Sequence, residues 1–265
     1  MKQAGTESGA GGGEAALRFC VASYNIHRCI GTDGRCDPEK VATVIRELRC
    51  DPVGLQEVDN TPGAAPTSMQ LEYLQRSTGL TAIAGLRLTR HLGHYGNALL
   101  TGRPVISVRR HDLSVTRYEP RGALDVELDI DGRAVRFVVT HLGLSPGERR
   151  KQMQRLLTIL SLTPEDEPLV LLGDINEWWP HGRPLRWLHA IFGRPPSAPS
   201  FPSRMPFLSL DRIWARPRDS LRLVTAFQTP LSRQASDHLP VMGECVVREP
   251  VPVSPLRALP ATRAG

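Results

Sequence analysis

The stretch that decides the fold is Leu124-Asp125-Val126-Glu127-Leu128-Asp129-Ile130, followed by Asp131-Gly132 and then Val135 to Thr140. Apolar and acidic residues alternate through the first run, the period of a strand with one buried face. An Asp-Gly pair between two such runs predicts an antiparallel hairpin closed by a two-residue turn. Downstream the period changes. Pro146 opens a helical run to about Leu162, with Ser145 and Glu148 placed as a capping box. Met153, Leu156, Leu157 and Leu160 mark its core side, and Arg149, Arg150, Lys151 and Arg155 read as a solvated face. Leu169 to Leu172 is a fully apolar strand that stops at Gly173-Asp174.

Upstream, Arg18 to Ile26 is strand-like, and Asp37-Pro38 opens a helix with Asp as N-cap and Pro in the first turn. Val41, Val44, Ile45 and Leu48 fall at helical spacing, and Asp51-Pro52 ends the run before a strand from Val53 to Val58. A second helix is predicted over Ser68 to Thr78, with Gly79 as its stop. Last strands are expected near Leu210–Trp214 and Leu239–Val247. Strand–helix–strand units plus an antiparallel hairpin predict a mixed-sheet α/β protein. One domain over residues 17–248 is expected, with a flexible Gly-rich leader over 1–16 and a loose Pro-rich tail over 249–265.

The 265 residues are 40% hydrophobic and 23% charged, which excludes a wholly disordered chain. No run approaches the roughly 18 apolar residues of a transmembrane helix, and the leader has no apolar run of a secretory signal. The five cysteines form no CxxC pair and no zinc spacing. Cys20 and Cys245 lie in apolar runs and read as small buried hydrophobes, so a reducing cytoplasm is the expected compartment. The chain is basic, +6, and all its cations except Lys2, Lys40 and Lys151 are Arg. A GC-rich genome accounts for most of that bias. The functional reading is phosphate binding, because the guanidinium fork matches phosphate geometry.

Polar residues competent for metal or phosphate recur where apolar runs stop: Asn25 and His27, Glu57, His141, Asp174 and Asn176, and Asp237-His238 before Leu239. Strand ends are where ligands collect in α/β sheets. Glu57, Asp174, Asp211 and Asp237 offer hard oxygen ligands, with Asn25 and Asn176 as neutral ones, a set suited to Mg²⁺ or Mn²⁺ rather than zinc. His141 and His238 can donate to phosphate oxygens or exchange protons near neutral pH, and Arg121 can neutralise a phosphate. Metal, His and Arg around phosphorus make a phosphodiesterase or phosphatase arrangement.

The ordered motifs are Ser23-Tyr24-Asn25-Ile26-His27, Leu55-Gln56-Glu57-Val58, Gly96-Asn97-Ala98-Leu99-Leu100, Thr140-His141-Leu142, Gly173-Asp174-Ile175-Asn176, Leu210-Asp211-Arg212-Ile213 and Ser236-Asp237-His238-Leu239-Pro240. Together they resemble the endonuclease/exonuclease/phosphatase superfamily over about residues 18–247. The resemblance implies a DNase I-like four-layer α/β/β/α sandwich of two mixed sheets flanked by helices. It implies a Mg²⁺- or Mn²⁺-dependent phosphoesterase in which water attacks phosphorus in line. By motif, Glu57 resembles the principal metal ligand, with Asn25 and Asp237 nearby. Asp174 and Asn176 resemble the pair that positions water and phosphate. His238 resembles the phosphate-facing histidine, Asp211 its orienting carboxylate, and His141 the second catalytic histidine. Arg121 and Asn97 are expected at the phosphate, and His27 behind the ligands. The motif His94-Tyr95-Gly96-Asn97 lacks the acid that orients the mid-chain histidine in some nuclease members, which leaves Asn97, backbone or water for His141.

The expected substrate is a phosphodiester such as DNA or RNA. The alternatives are a phospholipid phosphodiesterase, a phosphomonoesterase or an inactive binding module. Residues 178–207 interleave Trp178, Trp179, Trp187, Phe192 and Phe201 with His181, Arg183, Arg186, Arg194 and Arg204. Such a segment can track single-stranded nucleic acid, touch a phospholipid surface peripherally, or simply pack on the sandwich.

Overall fold

Asp131 and Gly132 both take positive φ, 53° and 88°, as a two-residue hairpin turn requires. They join β7 (Gly122–Ile130) to β8 (Arg133–His141), which pair antiparallel from Ile130↔Arg133 to Ala123↔Thr140. The computed structural model describes residues 16–60, 69–85, 88–90, 93–165 and 167–247. Within them this hairpin is the middle of a sheet ordered β10-β9-β8-β7-β6, with β6 at Val105–Asp112, β9 at Leu169–Asp174 and β10 at Asp211–Arg216. Only the β8–β9 pair is parallel.

A second sheet runs β11-β12-β1-β2-β5-β3, with β4 also on β5. Its strands are β1 (Leu17–Asn25), β2 (Val53–Asn60), β3 (Thr81–Ala84), β4 (Leu88–Arg90), β5 (Gly93–Thr101), β11 (Leu221–Ala226) and β12 (Val241–Val247). The sheets face each other. Val21 and Leu99 of the second meet Leu124, Val126, Leu128, Phe137 and Val139 of the first in one apolar layer. Helices α1 (Pro38–Leu48) and α2 (Gln70–Thr78) cover the outer face of the second sheet. Helices α3 (Pro146–Leu160) and α4 (Arg183–Phe192) cover the outer face of the first. The result is the four-layer α/β/β/α sandwich. A short helix, α5, spans Ser232–Ala235. No described helix is long and apolar enough to cross a membrane.

The α1 cap follows the sequence reading: the Asp37 carboxylate accepts from the backbone N–H of Glu39 and Lys40. Three expectations do not hold. Ser145 makes no side-chain cap to α3, and Glu148 instead accepts from Gln152 one turn on. Arg149 is buried rather than solvated, its guanidinium 3.4 Å from Glu177. Cys20 is disulfide-bonded to Cys50, tying β1 to the segment before β2, whereas Cys245 is a buried free thiol. Residues 61–68, into which the expected start of α2 falls, residues 1–15 of the expected leader, Arg248 and the expected tail over 249–265 lie outside the described residues.

Candidate active site

His141, Asp174 and Asp211 stand in one row because three strands are in register. His141 pairs with Asp174 across β8–β9, and Asp174 with Asp211 across β9–β10. Gly173 makes that row possible. Its φ is 150°, and a Cβ there would meet the Thr140 carbonyl oxygen at 1.9 Å. Only glycine lets β9 lie this close to β8, which explains the glycine before Asp174.

The other sheet contributes Asn25 and Glu57. Asn25 ends β1 and pairs with Gln56 of β2. The β2–β5 register shifts between Leu55 and Val58, and Glu57 inside that bulge has a φ of 59°. A bulge re-aims a side chain out of the ladder, and here it turns Glu57 into the cleft between the sheets. The Asn25 amide donates to Glu57 Oε1 at 3.2 Å and to Asp174 Oδ2 at 3.1 Å, so one side chain joins the acids of the two sheets.

The loop before β12 brings in His238. Ser236 Oγ donates to the Asn25 carbonyl, and the His238 backbone N–H donates to Ser236 Oγ. The His238 ring then places Nδ1 2.8 Å from Asp211 Oδ2, which also accepts from Ser200 Oγ at 2.6 Å. Burial pushes the His238 pKa down, but the Asp211 charge and hydrogen bond, with Asp174 and Asp237, outweigh it and lift it to about 10. This imidazole is therefore cationic at neutral pH.

His141 is its opposite. Its Nδ1 lies 3.2 Å from Arg121 Nη1, and since guanidinium only donates, Nδ1 accepts. Burial, Arg121 and His238 all push its pKa well down, leaving a neutral ring with its proton on Nε2. That atom is 3.6 Å from Asp174 Oδ2. Asn176, at a φ of 53°, donates from its side-chain amide to the Leu142 carbonyl and places its backbone N–H on Asp174 Oδ1. Asp174 Oδ2 is thus the hub, 3.8 Å from His238 Nε2 on its other side. Burial and the Asp211 charge raise Asp174 to about 6 against His238, Asn25 and Asn176.

These groups surround a cavity of about 430 Å³ lined by His27, Glu57, Arg121, His141, Asp174, Asn176, Asp237 and His238, among others. Asn25 and Asp211 stand behind it, almost fully buried. His27 sits in a left-handed turn with Arg28 and Cys29, its Nδ1 3.1 Å from the Ile30 carbonyl and 3.6 Å from Asp237 Oδ1. Asn97 is a correction. Its amide donates to the Gly122 and Val139 carbonyls, pinning the two sheets together away from the cavity lining. The orienting partner of His141 is Arg121, not Asn97.

Sequence reasoning missed Tyr95, Glu119 and Phe201. Tyr95 lines the cavity, and its hydroxyl is pushed up by burial and then by Glu57. Its only sequence signal was its place beside Gly96-Asn97. Glu119 accepts from Arg121 Nη2 at 3.0 Å and so fixes the guanidinium on His141. Phe201 packs its ring 4.8 Å from that of His238.

The donor set fits a divalent cation. The Asn25 amide links Glu57 to Asp174, the His238 ring stands between Asp174 and Asp211, and buried Asp211 Oδ1 has no hydrogen-bond partner. Asp174, Asp211 and His238 each offer an atom within 4.8 Å of the others. Of those, His238 is already engaged with Asp211 and cationic, so the oxygens of Glu57 and Asp237 on the cavity lining, with Asn25 behind them, suit a hard ion better.

The chain matches the Endonuclease/Exonuclease/phosphatase family over residues 22–238. It is 30% identical over 243 residues to the Escherichia coli K12 protein called Uncharacterized protein YbhP, covering 85% of this chain and 95% of that one. An endonuclease/exonuclease/phosphatase from Beutenbergia cavernae superposes with a TM-score of 0.68 at 23% identity, over 90% of this chain and 73% of that chain. The mannosyl-6-phosphatase Bt3783 of Bacteroides thetaiotaomicron superposes with a TM-score of 0.67 at 16% identity, over 86% and 99%. These two structures share the fold. With its motifs in one cleft and the family match spanning most of its length, the chain belongs to the endonuclease/exonuclease/phosphatase family of phosphoester hydrolases.

Proposed function

We propose that the chain is a Mg²⁺- or Mn²⁺-dependent phosphodiesterase that hydrolyses its substrate by in-line attack of water on phosphorus. The observation that carries the reading is the opposite protonation of two histidines on either side of Asp174. Paired titratable groups with pKa values driven apart are the mark of divided acid–base work.

A divalent cation held by Asn25, Glu57 and Asp237 would supply Lewis-acid stabilisation of phosphoryl charge and acidify water. The chain's own groups do the rest. Cationic His238 faces the non-bridging oxygens, where charge grows. Neutral His141 donates from Nε2 to the same centre, its tautomer fixed by Arg121. Asp174, raised towards neutrality, takes the proton of the attacking water as the P–O bond to the leaving group breaks, and Asn176 positions both. Arg121 adds positive charge at the cavity wall. An inactive binding module is disfavoured by the presence of each of these groups in the chain.

The test is hydrolysis of bis-p-nitrophenyl phosphate by the full chain with Mg²⁺ or Mn²⁺, against a chelator control. Turnover that the chelator abolishes supports the reading. A chain that cleaves neither this diester, nor p-nitrophenyl phosphate, plasmid DNA or sphingomyelin with either metal overturns it.

A further inference from the structure

Among the described residues, ten large hydrophobic side chains are exposed, and six of them line the cavity or lie within a few residues of one that does. Tyr118 precedes Glu119, which lines the cavity, and Leu144 lines it directly. Trp178 and Trp179 follow Asn176 by two and three residues, packed edge to face 6.0 Å apart. Met205 and Phe207 ride a tight turn closed by the Phe201↔Leu208 bridge, with Phe201 at its base against the cavity. Leu144 is 75% exposed, Met205 73% and Phe207 66%.

The charge on these segments has one sign. Residues 116–118, 144–147, 178–183 and 201–208 carry Arg117, Arg183, Arg204 and His181 and not one Asp or Glu. Of the flanking acids, Glu119 is paired with Arg121 and Glu177 with Arg149, while Glu57, Asp174 and Asp237 lie inside on the cavity lining. Exposed apolar tips, paired indoles and arginines on the segments flanking one opening match the interfacial zone of an anionic bilayer. Indoles sit at headgroup depth there, aliphatic tips enter the acyl region, and arginines meet anionic lipid.

We propose that the mouth of the cavity is a membrane-docking surface for an anionic phospholipid bilayer, which presents a lipid phosphodiester to the site. The substrate half of this inference rests on the phosphodiesterase reading above; the docking half does not. A nucleic-acid track fits less well. The most exposed of these groups, Leu144 and Met205, have no π-face on which a base could stack.

The experiment is flotation of the full chain with vesicles of phosphatidylcholine alone and of phosphatidylcholine with phosphatidylglycerol, beside binding of a labelled single-stranded oligonucleotide. Wild type is expected to float with the anionic vesicles only. Met205→Ser/Phe207→Ser and, separately, Trp178→Ser/Trp179→Ser should weaken that binding at least about tenfold. Their hydrolysis of bis-p-nitrophenyl phosphate should stay within about twofold of wild type, which shows that fold and site are intact. Docking is overturned if wild type floats with neither vesicle, if the variants float as wild type does, or if the substitutions abolish oligonucleotide binding instead. Docking without hydrolysis of any phosphoester would leave the surface standing and remove the catalytic reading. Docking with hydrolysis of the soluble diester but of no vesicle lipid would remove the lipid as substrate.

Discussion

His238 Nδ1 lies 2.8 Å from Asp211 Oδ2, and this contact sets the charge of the ring. The His238 pKa is held near 10 against an ordinary 6.5. A raised pKa favours the folded state below the ordinary value, and that contribution is lost as pH rises through about 10. In Asp211→Asn the ring should titrate much closer to its ordinary value, and folded-state stability should fall off at lower pH than in wild type. Titration of the His238 ring by NMR in chelator checks the first outcome, and urea unfolding across alkaline pH checks the second. A ring in Asp211→Asn that still titrates near the wild-type value would show that Asp174 and Asp237, not Asp211, hold the charge.

Arg121 and His141 form the complementary pair, 3.2 Å apart. Removing the guanidinium in Arg121→Ala takes away both the donor that fixes the tautomer and one of the charges that lowers the ring. The kcat on a soluble diester should fall by about 10²-fold, the scale of a misplaced acid–base group. Because burial remains the largest cause, the ring pKa should rise without reaching its ordinary value. An unchanged kcat would separate Arg121 from the chemistry and leave it a structural brace for the loop at Glu119.

Gly173 is the sharpest structural test of the site. A methyl there would press on the Thr140 backbone, which has no flexible end to give way. Gly173→Ala should lower stability by more than the roughly 1–3 kcal/mol of ordinary overpacking, read as a fall in Tm. Any folded fraction should lose activity, because the row of His141, Asp174 and Asp211 depends on that approach. A variant with wild-type Tm would mean that β8 and β9 lie further apart.

The hairpin at Asp131-Gly132 and the capped α1 were legible because local chemistry decides them: a turn that needs positive φ, and a carboxylate beside free N–H groups. The strands β3, β4, β5, β6 and β11 were not anticipated. Strand β6 is mostly exposed along its length, so its residues carry little period-two contrast, and β3 and β4 are only a few residues long. At the site, residue types at strand ends were readable, but their partners were not. Arg149 falls on a run of cations that reads as solvated, yet Glu177 arrives from 28 positions away to bury it. Arg121 fills the place at His141 expected of Asn97, backbone or water for the same reason: which polar group meets the ring depends on how two sheets meet.

Asp125 carries the last prediction, because it sits on the polar side of the deciding hairpin and is nevertheless fully buried. Arg136 donates two hydrogen bonds to it, at 2.8 and 2.6 Å, and Arg109 and His111 add further contacts at 3.2 and 3.0 Å. Burial would raise this carboxyl, but those partners outweigh it and hold the pKa below its ordinary 3.8. A depressed carboxylate pKa stabilises the fold above 3.8, and the contribution is lost as pH falls through the lower folded value. Asp125→Asn should therefore cost about 3–5 kcal/mol at neutral pH, the cost of leaving buried Arg136 without its counter-charge. The gap between variant and wild type should close in acid, as protonation removes the same charge from wild type. Urea unfolding of both proteins at neutral pH and well below 3.8 measures the two gaps. Equal gaps at the two pH values would show that Asn keeps the hydrogen bonds and that the charge at position 125 contributes nothing.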